Sequence, residues 1–470
     1  MKYLYPPFLK NIKNSNLVEH GDTIIAAFSG GKDSATLLQL LKELQKDIDF
    51  KLLAAYFNHN IREDSQEEEQ WVEEFCDFTA VKLTVGRGDV PAYKNKHRLN
   101  LENAASILRS RFLTETAAVH ENGKIATAHT KSDQTETFFI KLFRGSGSRG
   151  LSAIYNRVGE NLIRPLLLFS QKDILAFLKR NKIEYYRDYT NEQDTFLRNR
   201  IRNFLIPEIE KIEPDIENRI FKTVCLVREE YEYFRDLAGK ILKDNLILDK
   251  ILPVEVLENN HLAVRRHILR EYIRLIKGDL LDIAFEHVEN IITNFSESKG
   301  IAIPGLELSF HKRYIYPGNI SIPAYRYMIE SPGIVEITEI NKRIILKKAS
   351  APSGNGSFRK PANNFEISIP SSLLKFPLVV RSPRKEDKYL KLNASFAQRV
   401  FEMIREAGFP AELRNLCPVV VNGDGRLIWA VGSPVAESFK VKDKYEKQVI
   451  NIFSLHPDIV GTTIAKKIQL

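Results

Sequence analysis

Thr23-Ile24-Ile25-Ala26-Ala27-Phe28-Ser29-Gly30-Gly31-Lys32-Asp33-Ser34 is the stretch that decides the fold of this chain. Its first six residues are an apolar run that reads as a strand, and a helical pattern follows from Ala35 to Gln45. A strand, a glycine turn and a helix start make an anion cradle. The two glycines let the backbone turn sharply and approach a ligand with no Cβ in the way. Unpaired N–H groups of the first helical turn and the positive end of the helix dipole then face the loop. Phosphate is the expected guest. The Walker loop is excluded by spacing, because it needs four residues between its first glycine and the Gly-Lys pair, and here Gly30 and Gly31 are adjacent.

Outward from the loop, apolar runs at 23–28, 51–57, 81–85 and 124–128 alternate with helical patterns at 35–46, 65–79, 101–121 and 133–143. That alternation predicts βαβ units and a parallel sheet, an α/β fold. Ligands of such sheets bind beyond the carboxyl ends of the strands. The glycine loop, Asn58-His59 and His129 each follow a strand, so all three are expected to converge on one crevice. The chain divides into an α/β domain over 1–211, a mainly helical domain over 212–330, a connecting segment over 331–370 and a small α+β domain over 371–470. Ala349 to Asn364, rich in Ser, Pro, Gly and Asn, reads as a linker. In the last part, 378–382 and 426–431 read as strands flanking a helix at about 395–407.

Composition bounds the function. The hydrophobic content of 43% suits globular domains with real cores, and the apolar stretches fall far short of a membrane span. Met1 to Asn14 lacks the apolar run and small-residue site of a secretory signal. Cys76, Cys225 and Cys417 are scattered without a Cys-x-x-Cys pair, so neither a zinc site nor a disulfide framework is expected. A reducing cytoplasm is the expected compartment. The net charge is +9, and residues 371–470 hold 16 basic against 10 acidic side chains. Such an excess suits a polyanionic partner.

Ser29 to Ser34 resembles the pyrophosphate loop (PP-loop) of ATP pyrophosphatases, which cleave ATP between the α and β phosphates. Further motifs narrow the resemblance. Phe57-Asn58-His59-Asn60-Ile61-Arg62 is followed by Asn100-Leu101-Glu102 and Arg109, then by Ala128-His129, Asp133-Gln134-x-Glu136-Thr137 and Arg144-Gly145-x-Gly147. Ile163-Arg164-Pro165-Leu166-Leu167, Asp188-Tyr189-Thr190-Asn191 and Arg198-Asn199-x-Ile201-Arg202 complete the set. In this order they resemble the tRNA(Ile)-lysidine synthetase family, and the tail resembles it again at Pro418-Val419-Val420 and Trp429-Ala430-Val431-Gly432.

The resemblance implies an adenine-nucleotide α-hydrolase-like PP-loop domain followed by two tRNA-binding domains. It implies ATP and Mg²⁺ as cofactors, with free L-lysine and tRNA(Ile) carrying a CAU anticodon as substrates. No membrane partner is implied, and the oligomeric state stays open, a homodimer being one form. Ser29, Gly30, Gly31, Lys32, Asp33 and Ser34 would hold the nucleotide, with Asp33 as Mg²⁺ ligand. Asp33, His129 and Asp133 would form the catalytic centre. Arg109, Glu136, Arg198 and Arg202 would meet substrate or RNA; Glu136 is open between an ion pair and a lysine-amine contact, and Arg198 and Arg202 between phosphate contacts and a structural ion pair. Lys385, Lys388, Arg399, Lys440, Lys442 and Lys444 are candidates for tRNA phosphates. The chain departs from the family pattern at Thr130 and Ser132, and at Ser106 and Ser110. Another PP-loop tRNA-modifying enzyme, a paralogue with altered RNA chemistry and a non-catalytic RNA-binding module are the alternatives.

Overall fold

The computed structural model describes residues 3–60, 65–186, 197–295, 300–311, 313–350, 365–441 and 448–455. Two compact units divide between Glu232 and Tyr233. The first opens with α1 (Tyr5–Asn14), β1 (Thr23–Ala27), α2 (Lys32–Leu44), β2 (Lys51–Asn58), α3 (Ser65–Thr79) and β3 (Lys82–Arg87). It continues through α4 (Val90–His97), α5 (Leu101–Ala118), β4 (Gly123–Ala126), α6 (Lys131–Phe143) and α7 (Ser148–Leu151). Then come β5 (Arg157–Val158), β6 (Leu162–Ile163), α8 (Gln171–Asn181), α9 (Leu197–Arg200), a π-helical turn (Ile201–Leu205), α10 (Ile206–Ile212) and α11 (Ile216–Asn245), whose residues after Glu232 belong to the second unit.

The strands form one six-stranded sheet in the order β3-β2-β1-β4-β6-β5, parallel except for β5, which runs antiparallel to β6. Strand alternation sends neighbouring side chains to opposite faces. Ile24 and Ala26 pack with Phe8, Ile12, Leu37 and Leu41 on one face. Ile25, Ala55 and Ile125 pack with Leu113 and Ala117 of α5 on the other. Both faces are covered, which is why β1 reads as an unbroken apolar run rather than an alternating one. The strand order reverses between β1 and β4, whose register pairs Ala26 with Ala126. Ser29 and His129 therefore each stand three residues past the last paired position, on either side of the switch point where α/β sheets bind ligands.

In the second unit, β7 (Leu252–Pro253), α12 (Val254–Glu258), α13 (Leu262–Lys277), α14 (Phe285–Asn294), β8 (Ile301–Ile303), β9 (Leu306–His311) and β10 (Tyr314–Pro317) share one core. Their strands form the antiparallel sheet β7-β10-β9-β8. The remainder holds β11 (Arg326–Ile329), β12 (Ile334–Ile337), β13 (Lys342–Ser350), β14 (Glu366–Pro370), β15 (Leu378–Arg381), β16 (Lys388–Leu390), β17 (Ala397–Arg399), α15 (Val400–Glu406), β18 (Val419–Val421), β19 (Leu427–Ala430) and β20 (Gln448–Leu455). Two four-stranded sheets, β11-β15-β18-β19 and β12-β13-β20-β14, close over a core that contains Trp429. Where the sequence suggests a connecting segment over 331–370, the structure has β12, β13 and β14. β12 and β13 pair as a local hairpin, while β20, which pairs with both β13 and β14, comes only at Gln448–Leu455, so no local pattern announces that part of the sheet. Residues 351–364 of the expected linker, and Lys442 and Lys444, lie outside the described residues. Among the described residues no helix is long and apolar enough to cross a membrane.

Candidate active site

The loop after β1 is built as its residue types require. Gly30 adopts φ +72°, and a Cβ there would stand 3.3 Å from Tyr186 and 3.4 Å from Trp71. The carbonyl of Gly30 accepts the Tyr186 N–H at 2.9 Å. Only glycine meets both demands without strain. Gly31 is the N-cap of α2 and offers no side chain to its first turn, so that turn's N–H groups are left for an anion. Ser34 braces the loop. Its hydroxyl accepts the Ser29 N–H at 3.2 Å, lies 3.2 Å from the Ser29 hydroxyl, and donates to the Gly31 carbonyl at 2.9 Å.

Asp33, the second residue of α2, is largely buried, and burial pushes its carboxyl up to about 6; Lys32 opposes the shift and Asp133 reinforces it. One side chain links it to the other half of the crevice. Gln171, first residue of α8, donates from Nε2 to Asp33 Oδ1 at 3.0 Å and lies 3.3 Å from Thr130 Oγ1. Its Oε1 is buried without a partner among the described residues.

Across the switch point, Thr130 caps α6. Its N–H and hydroxyl donate to Asp133 Oδ2 at 2.8 and 2.9 Å. The helix thus begins after His129, which stands in the preceding turn rather than on the helix face of Asp133. Thr127 Oγ1 lies 3.0 Å from His129 Nδ1. Burial drives the imidazole down to about 4, against Asp133 and with help from Arg164, Arg198 and Arg109. The ring is neutral at pH 7.

Arg198 and Arg202 face α6 from α9 and the π-helical turn. Arg198 donates from Nε to Glu136 Oε2 and from Nη2 to Asp133 Oδ1, both at 2.7 Å. Arg202 donates to both oxygens of Glu136, at 2.5 and 3.0 Å. The side chain of Glu136 is only 1% exposed. Burial works against both guanidinium charges, but Glu136 and Asp133 more than offset it and hold them above the ordinary arginine value. Two carboxylates and two guanidiniums close into a neutral cluster. Arginines open to either a phosphate or a structural role in the sequence are occupied by carboxylates, and Glu136 is in an ion pair.

Arg109 on α5 is exposed, has no polar partner among the described residues and acts on His129 through its charge. Asn58, expected in the crevice, ends β2 and donates to Glu69 at 2.7 Å. Asp188 to Asn191 lie outside the described residues. Gln171, Thr127 and Thr130 escaped the sequence reading. Thr130 was visible only as a departure from the family pattern, although its spacing to Asp133 is that of a capping box. Ser170-x-x-Asp173 carries the same spacing and was the available signal for a helix start at Gln171. Among the described residues no three His, Cys, Asp or Glu side chains are grouped to cage a metal. A lone carboxylate beside a phosphate cradle suits a hard cation whose remaining ligands are phosphate oxygens and water.

Residues 5–209 match the PP-loop domain family. Over 461 residues the chain is 29% identical to the tRNA(Ile)-lysidine synthase of Geobacter sulfurreducens, covering 94% of this chain and 96% of that protein. It is 28% identical over 463 residues to the enzyme of the same name from Caldanaerobacter subterraneus, covering 94% and 96%. Among solved structures, the U34-tRNA thiolase NcsA from Methanococcus maripaludis aligns with a TM-score of 0.42 at 16% identity, over 48% of this chain and 81% of that one.

Proposed function

The chain belongs to the tRNA(Ile)-lysidine synthase family, and from that premise we infer that it ligates free L-lysine to the 2-carbon of the wobble cytidine in tRNA(Ile) with a CAU anticodon. In the first step the cytidine 2-carbonyl oxygen attacks the α-phosphorus of ATP. An O–P bond forms and pyrophosphate leaves. In the second step the lysine amine attacks C2, the C2–O bond breaks, AMP leaves and the amine gives up its proton. The modified base pairs with A rather than G, so the tRNA reads AUA in place of AUG.

The observation that carries the site reading is the placement of two helix starts, at Gly31 and at Thr130, on either side of the β1/β4 switch point, joined by Gln171. Acyl-like adenylation develops charge on phosphate oxygens, so positioning and preorganised donors carry the catalysis. The Gly30-Gly31 backbone, the Ser29 hydroxyl and Lys32 hold the β and γ phosphates. Asp33 would hold Mg²⁺, which supplies charge neutralisation on the phosphates when bound. His129, neutral at working pH, and Asp133 line the place of the base. Arg109, free of acidic partners among the described residues, is suited to substrate phosphate. The second unit, with its basic excess, is assigned to the body of the tRNA, and the enzyme to the cytoplasm where its tRNA resides.

The test is direct. Unmodified tRNA(Ile) transcript, ATP, Mg²⁺ and labelled lysine should yield AMP, pyrophosphate and labelled tRNA in equal amounts. A transcript with U at the wobble position should stay unlabelled. No label on the CAU transcript, or equal label on both, would overturn the reading.

A further inference from the structure

Arg198 and Arg202 are neutralised by carboxylates, yet a second pair of arginines near His129 is not. Arg164 follows β6, and Arg228 lies on α11. Arg164 donates from Nη1 to the Tyr155 carbonyl at 2.6 Å. Arg228 donates from Nη2 to the carbonyls of Ser152 and Ile154, at 2.8 and 2.6 Å, and its guanidinium lies 4.5 Å from the centroid of the Tyr155 ring. Burial and then the charge of Arg228 depress Arg164. Neither forms an ion pair with an acidic residue among the described residues. The Nε of both arginines, and Oδ1 of Asn156 beside them, are buried without a protein partner.

Two half-buried cations held only by neutral carbonyls are costly unless an anion compensates them. The position says which anion. Ile163 pairs with Ala126 of β4, and β4 pairs with β1, so Arg164 emerges two strands from the glycine loop, roughly 10 Å away at ordinary strand spacing. It lies on the His129 side, where the base must sit, and away from the start of α2 that cradles the ATP tail. Resting on the function proposed above, we propose that Arg164 and Arg228 form a binding site for a phosphodiester of the RNA strand that carries the target cytidine. Planar guanidiniums fit phosphate oxygens in pairs, so the site positions the strand without reading its sequence.

The test measures binding of unmodified tRNA(Ile) to the whole protein over a series of KCl concentrations, beside KM for ATP. Arg164→Met and Arg228→Met should each weaken tRNA binding about tenfold. Each should also reduce the slope of log affinity against log salt by about 0.7, the value for one phosphate contact on a single strand, with KM for ATP unchanged. Arg164→Lys and Arg228→Lys keep the charge and should keep most of the slope. An unchanged slope overturns the proposal, as does a rise confined to KM for ATP, which would assign the pair to the nucleotide. Equal losses in the Met and Lys variants, together with a lowered unfolding temperature, would make the pair a brace for residues 152–156 and nothing more. If the unaltered protein fails to bind tRNA, the ligase reading falls as well; binding by the unaltered protein with indifferent variants removes only this site.

Discussion

Replacing Asp33 with Asn should make the metal-free protein more stable while destroying its activity. Burial raises the Asp33 carboxyl from 3.8 to about 6 in the folded protein. A raised carboxyl destabilises the native state in its charged form: the cost is absent below pH 3.8, grows through the window between the two values and is complete above about 6. At 1.36 kcal/mol per pH unit the ceiling is about 3 kcal/mol; Asp33 retains some contact with solvent, so about 2 kcal/mol is expected at pH 8. Asn removes the charge and still offers an acceptor to Gln171 Nε2. For a unit of this size, about 2 kcal/mol corresponds to roughly 4 to 8 °C in unfolding temperature. At pH 5, midway through the window, about half should remain. The assay is thermal unfolding at both pH values in chelator, then with Mg²⁺ and ATP added. A ligand at a hundred times its Kd adds about 2.7 kcal/mol, so the nucleotide should stabilise the unaltered protein strongly and Asp33→Asn weakly, reversing their order. If Asp33→Asn gains nothing at pH 8, or gains equally at pH 5, burial of charge is not what sets the state of Asp33.

Other substitutions probe the same crevice. Gly30→Ala puts a Cβ against Tyr186 and Trp71 at a φ of +72°; it should raise KM for ATP about tenfold and cost about 1 kcal/mol of stability, read by kinetics and by urea unfolding. Glu136→Gln leaves Arg198 and Arg202 sharing one carboxylate fewer. Removing one partner of a buried pair costs about 3–5 kcal/mol; the arginine side chains are 36% and 43% exposed, so about 2–3 kcal/mol is expected in denaturant unfolding, together with loss of turnover. Gln171→Met keeps the volume but cuts the link from Asp33 to Thr130, and should raise the half-saturating Mg²⁺ and KM for ATP severalfold while KM for tRNA holds.

The α/β sheet and its loop were legible because both depend on local pattern. Ile24 to Ala27 is apolar throughout because both sheet faces are covered, and Gly30, at φ +72°, marks a left-handed turn that favours glycine. The partners of charged side chains were not legible. Arg198 and Arg202 stand more than sixty residues from Asp133 and Glu136, and nothing in their own surroundings tells a phosphate grip from an ion pair. Arg164 carries the same ambiguity, and among the described residues no carboxylate occupies it. The sheet at 334–370 was only partly legible for a related reason: β12 and β13 pair locally, but β13 and β14 are joined through β20, and a pairing so distant leaves no local trace.

The division of charge bears on the amine step. A lysine amine arrives as a cation and must be neutral to attack C2. The cluster of Asp133, Glu136, Arg198 and Arg202 contributes two charges of each sign, so it offers no net negative field to hold the ammonium in its protonated form. His129 is kept uncharged by burial and adds no repulsion. Removal from water in such surroundings lowers an ammonium's pKa, because desolvation penalises the charged form. Asp33, which forms no ion pair among the described residues, would be taken up by the cation at the phosphates, and Arg164 and Arg228 by the strand under the proposal above. Such a crevice would favour the free amine over the ammonium at the point of attack, and we propose that Arg198 and Arg202 serve the amine step by cancelling the two carboxylates that would otherwise keep the lysine protonated.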